Sequence, residues 1–225
     1  MTVRRSYGQY CAVARGLDVI GDRWTLLIVR DLLLGPKRYK DLLTGLPGIG
    51  TNLLAARLRE MTAAGIIEWT ELPPPAGSSV YQLTDAGLAL EPAVTAIGRF
   101  GARFLGEPRR NDVLLPRSYF VAIRSAFRPG PAGRPETYEF HVDGLVFTVT
   151  AKPDGCSTRE GAADDPDAVI STDVATLNAL LLEGLSPQTA LADGRAQISG
   201  DPAALDRFTG MFALHPAAAV DRSGA

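Results

Sequence analysis

The chain has 225 residues, 46% hydrophobic and 21% charged, an ordinary globular composition that argues against disordered and collagen-like classes and fits one or two domains. Its formal charge of -2 conceals an asymmetry: residues 1–106 carry 12 Lys or Arg against 9 Asp or Glu, whereas residues 107–225 carry 11 against 16. Two cysteines, Cys11 and Cys156, are too few for a disulfide scaffold, no basic-then-apolar leader opens the sequence, and the apolar stretch Trp24 to Leu34 is far short of the ~20 residues of a membrane span, so a cytoplasmic address is expected.

The first predicted helix covers about Cys11 to Ile20. Trp24, Leu27, Ile28 and Leu32 then fall at helical spacing, and Gly35-Pro36 ends that second helix. A short helix near Tyr39 to Leu43 follows. The turn LPGIG leads into TNLLAARLREMTAAG, where Leu54, Leu58 and Met61 make an apolar stripe and Asn52, Ala56 and Arg59 face the other way. Ile66 to Leu72 reads as a strand, Pro73 to Ser79 as a turn and Val80 to Leu83 as the returning strand. Thr84 caps a long helix, Asp85 to about Leu105, with Pro92 as a kink or break.

Three helices, a hairpin and a closing helix form a winged helix-turn-helix layout, expected over residues 1–105. One helix must leave a small-residue, polar face outward to enter the major groove while the hairpin reaches adjacent phosphates. The helix from Thr51 meets that need. Its amides near Thr51 and Asn52 can hold a phosphate oxygen, Asn52 and Arg59 are types that make bidentate base contacts, and Ala55 and Ala56 permit close approach. Arg38, Lys40 and Arg57 add positive charge, and Ser78 and Ser79 stand at the hairpin end. An amphipathic helix with outward arginines can also be plain solvated surface; helix order, hairpin and basic residues together favour double-stranded DNA as partner.

These residues carry a resemblance. CAVARGLDVIGDRWTLLIVRDLLLGPKRYKDLLTGLPGIGTNLLAARLREMTAAGII, followed by PPP and VYQLTDAGLAL, resembles the HxlR family of bacterial winged-helix regulators from about Tyr10 to Leu105. Gly21 to Thr25, Pro47 to Ile49, Leu58 to Gly65 and Tyr81 to Thr84 carry the motifs. The resemblance implies a homodimer on a near-palindromic operator. Two departures stand out: Ala76 to Ser79 replace charged residues in the wing, and Phe100-Gly101 stands where the family often has Trp-Gly. Cys11 lies where many members carry a cysteine that responds to oxidants or electrophiles, a role that needs a stabilised thiolate. A small buried apolar residue is the alternative for it.

Gly106 to Asp112 reads as a linker. From Val113 to Phe127 a helix is expected, and then the period changes to two. Tyr138, Phe140 and Val142 alternate with polar residues, Gly144 turns the chain, and Leu145, Phe147 and Val149 continue one face. Arg128 to Pro135 is a loop. Cys156 to Glu160, Ala168 to Ser171 and Ala196 to Ser199 add strands. Asp173 or Thr172 caps a helix containing Leu177, Leu180 and Leu181, and Ser186-Pro187 and Asp201-Pro202 start two more. The last of these presents Leu205, Phe208, Met211 and Phe212, and residues 215–225 read as a tail. The fold class is α+β, the second domain, 113–214, being a mainly antiparallel sheet covered by helices.

EFHVDGLVFTVTAKPDG and DPDAVISTDVATLNALLLEGLSPQTALADGRAQISGDPAALDRFTGMF are similar to the sterol carrier protein type two superfamily, whose members hold apolar molecules between sheet and helices. The resemblance implies that Tyr138, Phe140, Phe147, Leu177, Leu181, Phe208 and Phe212 line a site for a hydrophobic effector; filling the core is the other reading of the same residues. His141 is expected to be solvated, and the acidic run at Asp164 to Asp167 to be a solvated turn. No catalytic residues, metal or cofactor are expected. The combined reading is a ligand-responsive regulator, with two alternatives: a thiol sensor working through Cys11, and a carrier of lipid or another hydrophobic small molecule.

Overall fold

A computed structural model of the chain describes residues 6–72, 77–106, 109–128 and 134–212. It resolves into two compact units, Met1–Val94 and Thr95–Ala225.

In the first unit, Cys11 precedes α1 (Ala12–Ile20), which ends at Gly21, where a Cβ would lie 2.5 Å from the Leu17 carbonyl oxygen. Trp24 takes φ 84° before α2 (Thr25–Leu32). That conformation is uncommon for a bulky residue, and the Trp24 ring is 3.8 Å from the position a Cβ would take on Gly48. The Gly-x-x-Trp-Thr and Pro-Gly-Ile motifs therefore meet each other in space. α3 (Tyr39–Gly45) is capped by Asp41, whose carboxylate accepts from the Arg38 amide at 3.1 Å. A tight turn leads to α4 (Thr51–Ala63). Leu42, Leu46 and Ile49 are buried with Ile28, Val29 and Leu32 of α2 and with Leu54, Leu58 and Met61 of α4. Burying each such side chain contributes about 1.5–3 kcal/mol, which fixes which face of α4 is left outside.

β1 (Ile67–Glu71) and β2 (Ser79–Leu83) pair antiparallel. Residues 73–76 of the expected turn lie outside the described residues. Lys37 adds a bridge to the sheet, donating to Tyr81 O at 2.9 Å and accepting from the Tyr81 amide at 2.8 Å. The long helix expected from Asp85 is two helices, α5 (Asp85–Leu88) and α6 (Glu91–Ala102). Pro92 has no amide to give the Leu88 carbonyl, and its ring would crowd that carbonyl. Thr84 caps α5 by accepting from the Gly87 amide at 3.2 Å. Gly87 must be glycine in this packing, since a Cβ would lie 2.1 Å from the Ile66 oxygen.

The division between units falls inside α6, before the connection expected at 106–112, of which residues 107 and 108 lie outside the described residues. The cause is local. Arg99 Nε donates to the Ser125 carbonyl at 2.6 Å, and a Cβ on Gly98 would lie 2.7 Å from the Ser125 hydroxyl, so the later part of α6 belongs to the second unit. α7 (Ser118–Ala126) is shorter than its apolar pattern because Pro116 precedes it.

β3 (Glu136–Val142) and β4 (Leu145–Lys152) form the expected hairpin. Asp143 and Gly144 both have positive φ, 48° and 79°, the pairing that a right-twisted two-residue turn needs. β5 (Gly155–Glu160), β6 (Ala168–Thr172) and β7 (Ala196–Gly200) complete a sheet of order β5-β4-β3-β6-β7, antiparallel except for β3 with β6. α8 (Val174–Asn178) is capped by Asp173, which accepts from the Thr176 amide at 2.6 Å, and it runs into a π-turn, Ala179–Glu183. α9 (Pro187–Ala192) has Ser186 as its cap, and α10 (Ala204–Phe212) comes after Asp201-Pro202. Phe140 stacks on Phe147 at 5.1 Å between centroids and meets Phe208 at 4.7 Å, while Phe208 meets Phe212 at 4.6 Å. Buried Glu136 accepts from Tyr138 OH and, at 2.8 Å, from Arg207 Nε, tying α10 to β3. The expected loop at residues 129–133 and the tail from residue 213 lie outside the described residues.

Candidate nucleic-acid interface and effector unit

The burial of Leu54, Leu58 and Met61 turns the opposite face of α4 outward. Thr51, Asn52 and Arg59 are exposed, and Ala55 and Ala56 are half-buried beside them. Gly50 offers no side chain to cap α4, so the first amides of this helix are open to an anion. Tyr39 OH donates to the Thr51 carbonyl at 2.7 Å and fixes where α4 begins. No sequence spacing announces a contact between side chain and backbone twelve positions apart.

Arg38 and Ser78, forty positions apart, are brought together: Arg38 Nε donates to Ser78 Oγ at 3.1 Å, linking the start of α3 to the wing. Lys40 and Ser79 are exposed. Arg57, expected to add positive charge for DNA, pairs its guanidinium with Asp22 and, at 2.6 Å, with Glu60, and its side chain is 18% exposed. Two carboxylates already neutralise it, so it anchors α4 to the turn between α1 and α2. Asp22, just inside the Gly-x-x-Trp-Thr motif, is the partner that helical spacing does not point to.

Cys11 is exposed. The amides of Ala14 and Val13 hold its thiol below the ordinary range by stabilising the thiolate. Burial pushes Cys156 the other way, up to about 11, against the opposing influence of Arg124 and Arg99.

In the second unit, all seven residues expected at an apolar site are buried: Tyr138, Phe140, Phe147, Leu177, Leu181, Phe208 and Phe212 are each at most 2% exposed. The five aromatic rings among them contact one another. Beside them, Tyr119 OH donates to Asn178 Oδ1 at 2.7 Å, and Asn178 Nδ2 donates to Glu183 at 2.6 Å, which satisfies a buried amide next to the π-turn. Burial raises the Tyr119 phenol to about 12, so it stays a donor. His141 is exposed, and its Nε2 lies 2.6 Å from Glu139 Oε1.

Residues 19–109 match the family model described as HxlR-like helix-turn-helix. An uncharacterized HTH-type transcriptional regulator of Synechocystis is 33% identical over 101 residues, 44% of this chain and 73% of that protein. The chain belongs to the HxlR-like helix-turn-helix family. Another relative, the uncharacterized HTH-type transcriptional regulator YvaP of Bacillus subtilis, is 30% identical over 91 residues, 40% of this chain and 84% of that protein. The solved structure of the reduced form of the transcriptional regulator YodB from B. subtilis is similar with 30% identity and a TM-score of 0.38, over 44% of this chain and 97% of that one. As a member of the HxlR-like family the protein is a DNA-binding transcriptional regulator. Residues 133–213 match the SCP-2 sterol transfer family, which places a second, carrier-type domain after the DNA-binding one. Among the described residues no helix is long and apolar enough to cross a membrane.

Proposed function

We propose that this HxlR-like regulator binds a near-palindromic operator as a homodimer and that its second unit senses a small hydrophobic molecule. The observation that carries the DNA reading is the outward face of α4, with Asn52 and Arg59 exposed above a stripe of buried leucines. Arg59 and Asn52 contact bases, while Thr51, Lys40, Arg38, Ser78 and Ser79 contact phosphates. Val13 and Leu17 on α1, and Ile97 and Phe100 on α6, are between 43% and 70% exposed, and large apolar side chains left outside in this way support self-association. The match to the SCP-2 sterol transfer family supports an apolar effector. To enter among the Phe140 and Phe208 rings, a guest has to displace side chains, and that coupling between guest and packing lets an effector favour one state of the protein.

Selection of duplexes from a random pool, followed by fluorescence anisotropy, tests the reading. The expected product is an inverted repeat with half-site centres about one helical turn, ~34 Å, apart, bound by a species of twice the protomer mass in light scattering. A strictly monomeric protein, or a pool without enrichment, overturns it. Native mass spectrometry of the purified protein is expected to reveal a co-purifying apolar molecule.

Cys11 favours a second reading, in which its exposed, thiolate-favouring sulfur is the sensor and the second unit is a scaffold. Cys11→Ser separates the two: loss of every inducer response selects the thiol.

A further inference from the structure

The face of the second unit's sheet opposite the aromatic core is polar. Pairing places Thr137, Thr150 and Ser157 in one row across β3, β4 and β5, and Glu139, Thr148 and Arg159 in the next. The segment from Gly161 to Asp167 crosses this face on its way from β5 to β6 and is pinned along its length. The Gly161 amide donates to Val146 O at 2.9 Å, Thr148 Oγ1 donates to Gly161 O at 2.9 Å, and the Ala163 amide donates to Glu139 Oε2 at 2.7 Å. At the far end, the Asp167 amide donates to Thr137 O and its carboxylate accepts from the Thr137 amide, both at 2.8 Å. Beside this strap the surface opens into a pocket of about 340 Å³, lined on the sheet by Thr137, Thr150 and Ser157 of the first row and by Thr148 and Arg159 of the second, and on the strap by Asp164 and Asp165.

We propose that this cavity binds a small polyhydroxylated amine, an amino sugar or amino polyol. Side chains directly opposite on neighbouring strands stand about 5 Å apart, so Thr137, Thr150 and Ser157 form a ladder of hydroxyls, each able to donate and to accept. Such a ladder fits a ligand with several hydroxyls on one ring. An apolar guest is disfavoured, because it would strip these hydroxyls of water without returning hydrogen bonds. The charge at the rim selects a cation. Asp164 and Asp165 are both exposed, whereas Arg159 Nη2 is turned back to the Ala162 carbonyl at 2.7 Å, leaving one net negative charge to meet an ammonium group. The site goes beyond the apolar-effector reading, since it lies on the other face of the sheet and uses none of the aromatic residues.

The test is titration of the full chain, without DNA, with glucosamine and galactosamine, and with glucose as the neutral control, followed by the methyl resonances of threonine. Saturable shifts of the Thr137, Thr148 and Thr150 methyls with either amine are expected, with glucose weaker. Thr150→Val keeps shape but removes a hydroxyl and should weaken amine binding about tenfold; Asp165→Asn should weaken amines while leaving glucose unchanged. Absence of shifts with both amines at millimolar concentration overturns the proposal, as do shifts that survive both substitutions unchanged. Because operator binding is measured separately on the same proteins, failure here leaves the DNA reading intact, and the reverse also holds.

Discussion

The outward face of α4 and the inward face of β3 and β4 both carry residues that the sequence marks for recognition, and the fold treats them oppositely. On α4 the apolar stripe goes in and Asn52 and Arg59 stay in solvent, ready for a partner that never enters the core. On β3 and β4, Tyr138, Phe140 and Phe147 are themselves the core, so a guest there competes with the packing that holds the unit together. Under the proposed function, recognition of DNA would be rigid and preformed, whereas recognition of an apolar effector would be coupled to conformational change.

The contrast is broken most forcefully at Glu136. Glu136→Ala leaves the Arg207 guanidinium and the Tyr138 hydroxyl without their shared acceptor and is expected to cost about 3 kcal/mol of stability, read by denaturant unfolding. Leu58→Ala is its counterpart in the first unit, at about 2–5 kcal/mol for an emptied core position. Equal loss of operator affinity in both variants at permissive temperature would mean that the two units do not have separate tasks.

The two arginines of α4 sharpen the comparison. Arg59→Ala is expected to lose about 1–3 kcal/mol of discrimination at one base position and little stability. Arg57→Ala is expected to loosen the fold and to leave discrimination intact, because its charge is spent on Asp22 and Glu60. Lys40→Ala should weaken all duplexes alike and lower the salt slope by about one; an unchanged slope would remove Lys40 from the phosphate contacts.

The smallest effect compares the cysteines. A lowered pKa means that Cys11 carries thiolate at a lower pH than a free thiol does, so alkylation by iodoacetamide should begin there as pH rises. Cys156, at about 11, should react only under strongly alkaline conditions. Peptide mapping after alkylation at neutral and mildly alkaline pH reads the order, and equal labelling would contradict it.

Much of the fold could be read from local patterns. The Asp143-Gly144 turn, the Thr84, Asp173 and Ser186 caps and the Leu54, Leu58, Met61 stripe each depend on residues within a few positions of one another. Pro92 marked the break before α6. What the sequence hid depends on distant partners. Arg57 and Arg59 are the same residue type on one helix and differ in that Arg57 has Asp22 beside it, and Tyr39 with Thr51 and Lys37 with Tyr81 join residues that no periodicity relates. The polar cavity was hidden for the same reason: its hydroxyls sit at the outward positions that alternation assigns to solvent, and only the strap that crosses them makes a concavity.

Lys37 gives both its amide and its carbonyl to Tyr81, and the next residue, Arg38, reaches Ser78. The hairpin is thus stitched at two successive points to the stretch that opens α3. Bending it away from α3 would require tearing backbone pairing, so the hairpin's position is set when the chain folds, and the phosphate contacts proposed for it would need little further ordering on arrival at DNA.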